Sequence, residues 1–180
     1  MIRPIIAYGS PVLREATQQI SRDTPGLAQL IADMWHTLDN AGGVGLAAPQ
    51  VNVPVRLFLV DNRLEDAPLR QAFLNPLIIM RSAAVSTDEE GCLSIPGLTA
   101  MVTRPETITI RYEDASFQEH TRTFSGMDAR IIQHEYDHIE GRLYTDLLSP
   151  LSRTLLKHKL RAVSKGRFRP GYPMQFPLRS

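Results

Sequence analysis

At 180 residues, with 43% hydrophobic and 22% charged side chains, the chain is long enough to bury one core and has the ordinary balance of a globular protein. No apolar run approaches the roughly 20 residues of a membrane-spanning helix, and a single cysteine, Cys92, excludes an internal disulfide. The net charge of +1 conceals a split: eight Lys/Arg and no Asp/Glu lie between Leu147 and Ser180, while the first 146 residues carry 12 basic against 19 acidic side chains, a net of −7. A basic tail on an acidic body reads either as a footprint for a polyanion or as a solvated helix face with a loose end. The stretch from Met1 to Tyr8 is too short and mixed for a secretory signal and lacks the composition of a transit peptide, so a cytoplasmic address is expected.

The chain shows no internal repeat and no linker separating domains, so residues 1–180 are read as one domain with a basic C-terminal helix and tail over 150–180. Thr24-Pro25 has the form of an N-cap followed by proline at the first helical position. Leu27, Leu30, Ile31, Met34 and Leu38 then recur at helical spacing until Gly42-Gly43, which predicts a helix from Pro25 to about Asn40. Strands are expected over Val55–Val60, over Ala72–Met80 with a break at Asn75-Pro76, and over Thr107–Tyr112. Gln118–Phe124 is expected to pair antiparallel with the last across a turn near Asp114. A second helix should run from after Gly126 to about Glu140, with Gly141 as its cap, and a third should open at Pro150. The tail after Gly166 contains three prolines and is assigned no regular structure. Helices and strands in separate stretches predict an α+β fold.

The chemistry centres on His134-Glu135-Tyr136-Asp137-His138, an H-E-x-x-H sequence on the second predicted helix. Residues four apart share a helix face, so both imidazoles can reach one cation. Glu135 is turned by about 100° around the axis, which puts its carboxylate beside the ion rather than on it. Two histidines do not complete a site, since catalytic centres of this kind usually hold three protein ligands and one open position. Alone, Cys92 reads as an apolar filler, a reactive thiol or a ligand. Beside Gly91 in Glu90-Gly-Cys-Leu-Ser94 it is a better third ligand than His36, His120 or His158, which stand in polar or helical surroundings. The uncharged stretch Gly43-Val-Gly-Leu-Ala-Ala-Pro-Gln50 lacks the signatures of a phosphate loop and by itself is a turn with a polar exit.

Taken together, Gly43–Gln50, Glu90–Ser94 and Gln133–His138 resemble the three motifs of the peptide deformylases, in that family's order and at similar spacing. The resemblance extends over residues 1 to about 148. It implies an α+β fold with antiparallel sheets packed around a central metal-binding helix. Cys92, His134 and His138 would then be ligands, Glu135 the acid/base, and Gln50 with the Leu93 N–H the oxyanion donors. Gly45 would line the site and hydrogen-bond the substrate backbone, and Glu90 and Arg104 would form a structural ion pair. The implied substrate is a nascent peptide beginning with N-formylmethionine. The implied cofactor is one divalent ion, Fe²⁺ in a bacterial cell, with Zn²⁺, Ni²⁺ or Co²⁺ as substitutes. By helical spacing Met127 and Ile131 share the face of His134, and with Val44 they are the candidate slot for the methionine side chain; Arg130 falls on the same face and is a further candidate for substrate binding. The basic tail would dock on ribosomal RNA. Two rivals stand beside this reading: an H-E-x-x-H endopeptidase, and an inactive relative retained as a ribosome-binding module.

Overall fold

The computed structural model describes residues 1–63, 68–168 and 170–177. Its centre is a five-stranded antiparallel sheet in the order β2 (Gly45–Ala47), β3 (Leu57–Asn62), β4 (Leu69–Arg81), β7 (Thr107–Glu113) and β8 (Glu119–Ser125). A long hairpin, β5 (Val85–Cys92) with β6 (Ile95–Pro105), stands apart from it. β1 (Ile5–Ile6) and β9 (Met174–Gln175) form a short parallel pair. Among the described residues, three α-helices complete the fold: α1 (Leu27–Ala41), α2 (Gly126–Ile139) and α3 (Pro150–Ser164).

The period of two along β3 explains the layering. Phe58 and Val60 point to one side of the sheet and pack with Ile132, Tyr136 and Ile139 of α2. Leu57 and Leu59 point to the other and pack with Leu30, Met34 and Leu38 of α1. A strand covered on both faces reads as an unbroken apolar run, as Leu57–Val60 does. α2 is thus held with its apolar face on the sheet. Arg130, His134, Asp137 and His138, on its other side, face the β5–β6 hairpin, where Arg104 donates to both Glu90 and Asp137. A third cluster joins Ile95, Leu98 and Val102 of the hairpin to Tyr144 and to Leu160 and Val163 of α3.

Several expectations change in detail. The first helix begins at Leu27, after Gly26 at φ +74°, because the Thr24 hydroxyl accepts from the Ser21 N–H and closes a turn instead of capping the helix. The break at Asn75-Pro76 is a bulge within a continuous β4: Asn75 takes φ +48°, and its side-chain amide bridges both backbone groups of Ile20. The stretch read as a turn around Gly45 is a strand paired with Val60, Leu59 and Phe58, followed by a 3₁₀ turn over Ala48–Val51. The tail is not without structure, because Met174 and Gln175 pair with Ile5 and Ile6. The predicted β7–β8 hairpin, the second helix and the third helix lie within a residue or two of their expected bounds.

Candidate metal centre and substrate cleft

α2 delivers His134 and His138 from successive turns, and the end of β5 delivers Cys92. One ligand atom from each of the three lies within 4.8 Å of the other two. The Cys92 Sγ and His138 Nε2 are 3.3 Å apart. Tetrahedral ligation with bonds of about 2.0–2.3 Å separates neighbouring donors by roughly 3.3–3.6 Å, so the spacing fits a single small cation. The donor set, one sulfur and two imidazoles, suits a borderline divalent metal.

The layer behind these three residues is ionic and largely buried. Glu90 Oε2 meets His134 Nδ1 at 3.0 Å, which fixes the ring with its other nitrogen free for a ligand role. Glu90 is itself clamped by Arg104 at 2.7 and 3.0 Å, the ion pair the motifs implied. Arg130 adds a third contact, Nη1 to Glu90 Oε1 at 2.7 Å. Burial works against the Glu90 charge, but hydrogen bonds from His134 and Arg104 outweigh it and hold the carboxyl down at about 2. Burial likewise opposes a charged His134, yet Cys92 and Glu90 raise its pKa to about 10, while burial and the neighbouring His134 keep His138 well below the ordinary histidine range. A proton on His134 would occupy the nitrogen that a cation would need.

Glu135 projects from the same helix toward β2 and is buried, with no hydrogen-bond partner at Oε2. Burial pushes its carboxyl up to about 7. Gly45 makes this placement possible, since a Cβ there would overlap the carboxylate, coming within 2.8 Å of Cδ. Gln50 is oriented by its neighbours. Its Oε1 accepts from the Ala47 N–H at 2.8 Å, so its NH₂ must point the other way, 3.2 Å from Ser94 Oγ and 3.5 Å from the Cys92 sulfur.

These groups surround a cleft of about 430 Å³. Its lining includes Val44, Gly45 and Gln50, then Cys92 and Leu93, and Met127, Arg130, Ile131, His134 and Glu135 of α2. Val44 and Met127 are partly open to solvent and Ile131 is buried. Arg130 borders the cleft, but its guanidinium is committed to Glu90, to the Val102 carbonyl and to Ser86. His138 is a ligand candidate set behind the cleft lining.

The sequence profile described as polypeptide deformylase matches residues 2–154. The chain belongs to the peptide deformylase family. The peptide deformylase of Christiangramia forsetii is 49% identical over 190 residues, covering 98% of this chain and 97% of its own. That of Cytophaga hutchinsonii is 48% identical, covering 99% and 100%. Among solved structures, the deformylase of Legionella pneumophila superposes with a TM-score of 0.83 at 35% identity, covering 93% of this chain and 98% of that one. The deformylase described here is a metal-dependent hydrolase that removes the formyl group from the N-terminal N-formylmethionine of newly made peptides, releasing formate. Among its described residues, no helix is long and apolar enough to cross a membrane.

Four residues contribute to the site in ways that escape sequence reasoning. Ser94, next in the Glu90–Ser94 motif, receives Gln50. The role of Arg130 as a clamp on Glu90 is hidden, because the partners are far apart in the chain. Pro170 and Tyr172 line the cleft from the tail. The one signal for them was aromatic: Phe168, Tyr172 and Phe176 recur in an otherwise basic, proline-broken stretch.

Proposed function

We propose that Cys92, His134 and His138 hold one divalent cation and that Glu135, Gln50 and Leu93 carry the chemistry around it. Bound there, the cation supplies Lewis-acid stabilisation of charge and makes water more acidic. Glu135 accepts a proton as water attacks the formyl carbon, and returns one to the nitrogen as the C–N bond breaks, leaving formate and a free amine. A carboxyl raised to about 7 by burial is suited to both transfers near neutrality. The Gln50 NH₂ and the Leu93 N–H donate to the oxygen that gains charge, and Gly45, with no side chain, admits the peptide backbone. Val44, Met127, Ile131 and the aliphatic stem of Arg130 receive the methionine side chain. The observation that carries this reading is the unpartnered, buried Glu135 carboxylate beside the convergent Cys92, His134 and His138.

Iron(II) is the metal assigned in the cell. Zinc binds such nitrogen and sulfur donors more tightly, so availability decides which metal is held. The assigned compartment is the bacterial cytoplasm. Formate release from formyl-Met-Ala, measured anaerobically on iron-loaded protein beside its metal content, tests the whole scheme. Cleavage of an internal peptide bond without formate release would favour an endopeptidase, and metal binding with neither activity would favour an inactive module.

Ribosome docking is assigned to α3, which exposes Leu151 and Leu155 beside Lys157, Lys159 and Arg161. Each of those three cations that pairs with a phosphate should, once neutralised, flatten the log–log salt slope of ribosome binding by about one unit. An unchanged slope in the triple variant would exclude α3.

A further inference from the structure

The family profile ends at residue 154, yet part of the cleft lies beyond it. The Phe168 ring packs at Gly97, where a Cβ would stand 3.2 Å from it. Pro170 and Tyr172 then line the cleft beside Cys92 and Leu93. Tyr172 donates its hydroxyl to the Leu93 carbonyl at 2.9 Å. Immediately after it the chain is fastened, with the Ile5 N–H on the Pro173 carbonyl and the Ala7 N–H on the Gln175 carbonyl, both at 2.9 Å. The next residue, Tyr8, donates to the Ser94 carbonyl at 2.8 Å. A tyrosine at the cleft wall is therefore tied down by backbone pairing on one side and by a hydrogen bond to the active-site turn on the other.

Its position in the cleft is informative. Leu93 and Tyr172 both pack on the α1 cluster, whereas Ile131 of the methionine slot belongs to the α2 cluster. The Tyr172 wall and the slot thus draw on different cores. A peptide with its first side chain in the slot has to continue elsewhere in the cleft, and a half-buried tyrosine offers a rigid apolar face at little conformational cost.

We propose that Tyr172, held by the folded-back tail, is a specificity-determining residue that contacts the peptide beyond its formylmethionine. This rests on the slot assignment made above.

The test compares kcat/KM for formyl-methioninamide, formyl-Met-Ala and formyl-Met-Ala-Ser, using full-length, metal-loaded protein. With Tyr172→Ala the loss should grow with peptide length, being at least fivefold larger for the longest substrate than for the shortest, and should appear mainly in KM. Tyr172→Phe keeps the ring and should keep most of the length dependence. An equal loss for all three substrates, or none, overturns the proposal. If Tyr172→Ala does not fold, hydrogen exchange on the wild-type protein decides. The peptide Met-Ala-Ser should slow exchange over 170–175 more than methioninamide does, and equal protection overturns it. Failure of the slot assignment reads out separately, as an unchanged preference for formyl-Met over formyl-Ala substrates in Met127→Ala.

Discussion

Gly45 and Glu135 form one working unit built from a missing side chain and a carboxylate. Gly45 sits in a buried strand paired to β3, so it cannot retreat from an added methyl, and Glu135 must move instead. Misplacing a catalytic group by about 1 Å costs on the order of a hundredfold in rate. Gly45→Ala should therefore lower kcat by about that factor while the protein keeps its metal, as read by steady-state formate release and elemental analysis. Glu135→Gln should lower kcat by roughly 10²–10⁴ with metal again retained. An active Glu135→Gln enzyme would remove that residue from the mechanism. His134 gives a pH-dependent expectation. Its metal-free imidazole is protonated below about 10, and a cation must displace that proton. Metal affinity should then rise roughly tenfold per pH unit through neutrality for that one proton, measurable by competition with a chelator; a flat profile would contradict it.

At the scale of elements, the β5–β6 hairpin is where polar residues set the fold. Along β5, Glu90 alone is fully buried, and its partners Arg104, Arg130 and His134 come from a neighbouring strand and from α2. Glu90→Gln leaves the buried Arg130 guanidinium without a carboxylate partner and Arg104 with Asp137 alone, and should cost roughly 3–5 kcal/mol in urea unfolding. The sign of the pH dependence follows from a folded-state pKa of about 2 against an ordinary 4.5. The stabilisation is complete above about pH 4.5 and is lost as pH falls toward 2, so the wild-type urea midpoint should drop through that window more steeply than that of Glu90→Gln. The same hairpin explains what the sequence hides. α2 and β7–β8 were legible because helical spacing and strict alternation are local patterns. β5 and β6 were not, because their inward groups include a carboxylate and a guanidinium, and a buried ion pair carries no hydrophobic period. The candidate metal-site residues were readable as motifs. What holds them was not, since Arg130 meets Glu90 across 40 positions of chain.

At the scale of the whole molecule, the fold closes on itself through its two ends. Ile5 and Ile6 lie beside Met174 and Gln175, and that pairing anchors the tail along the cleft. Such distant contacts are the slowest to form, because most of the chain must be ordered before they add anything. Production of this enzyme on the ribosome is where the pairing matters. A copy that ends before Tyr172 keeps Cys92, His134 and His138, but its active-site turn lacks the tyrosine that braces it. Such a truncated copy should lose more activity toward formyl-Met-Ala-Ser than toward formyl-methioninamide, so full activity toward longer formylated chains arrives only once the tail has folded back.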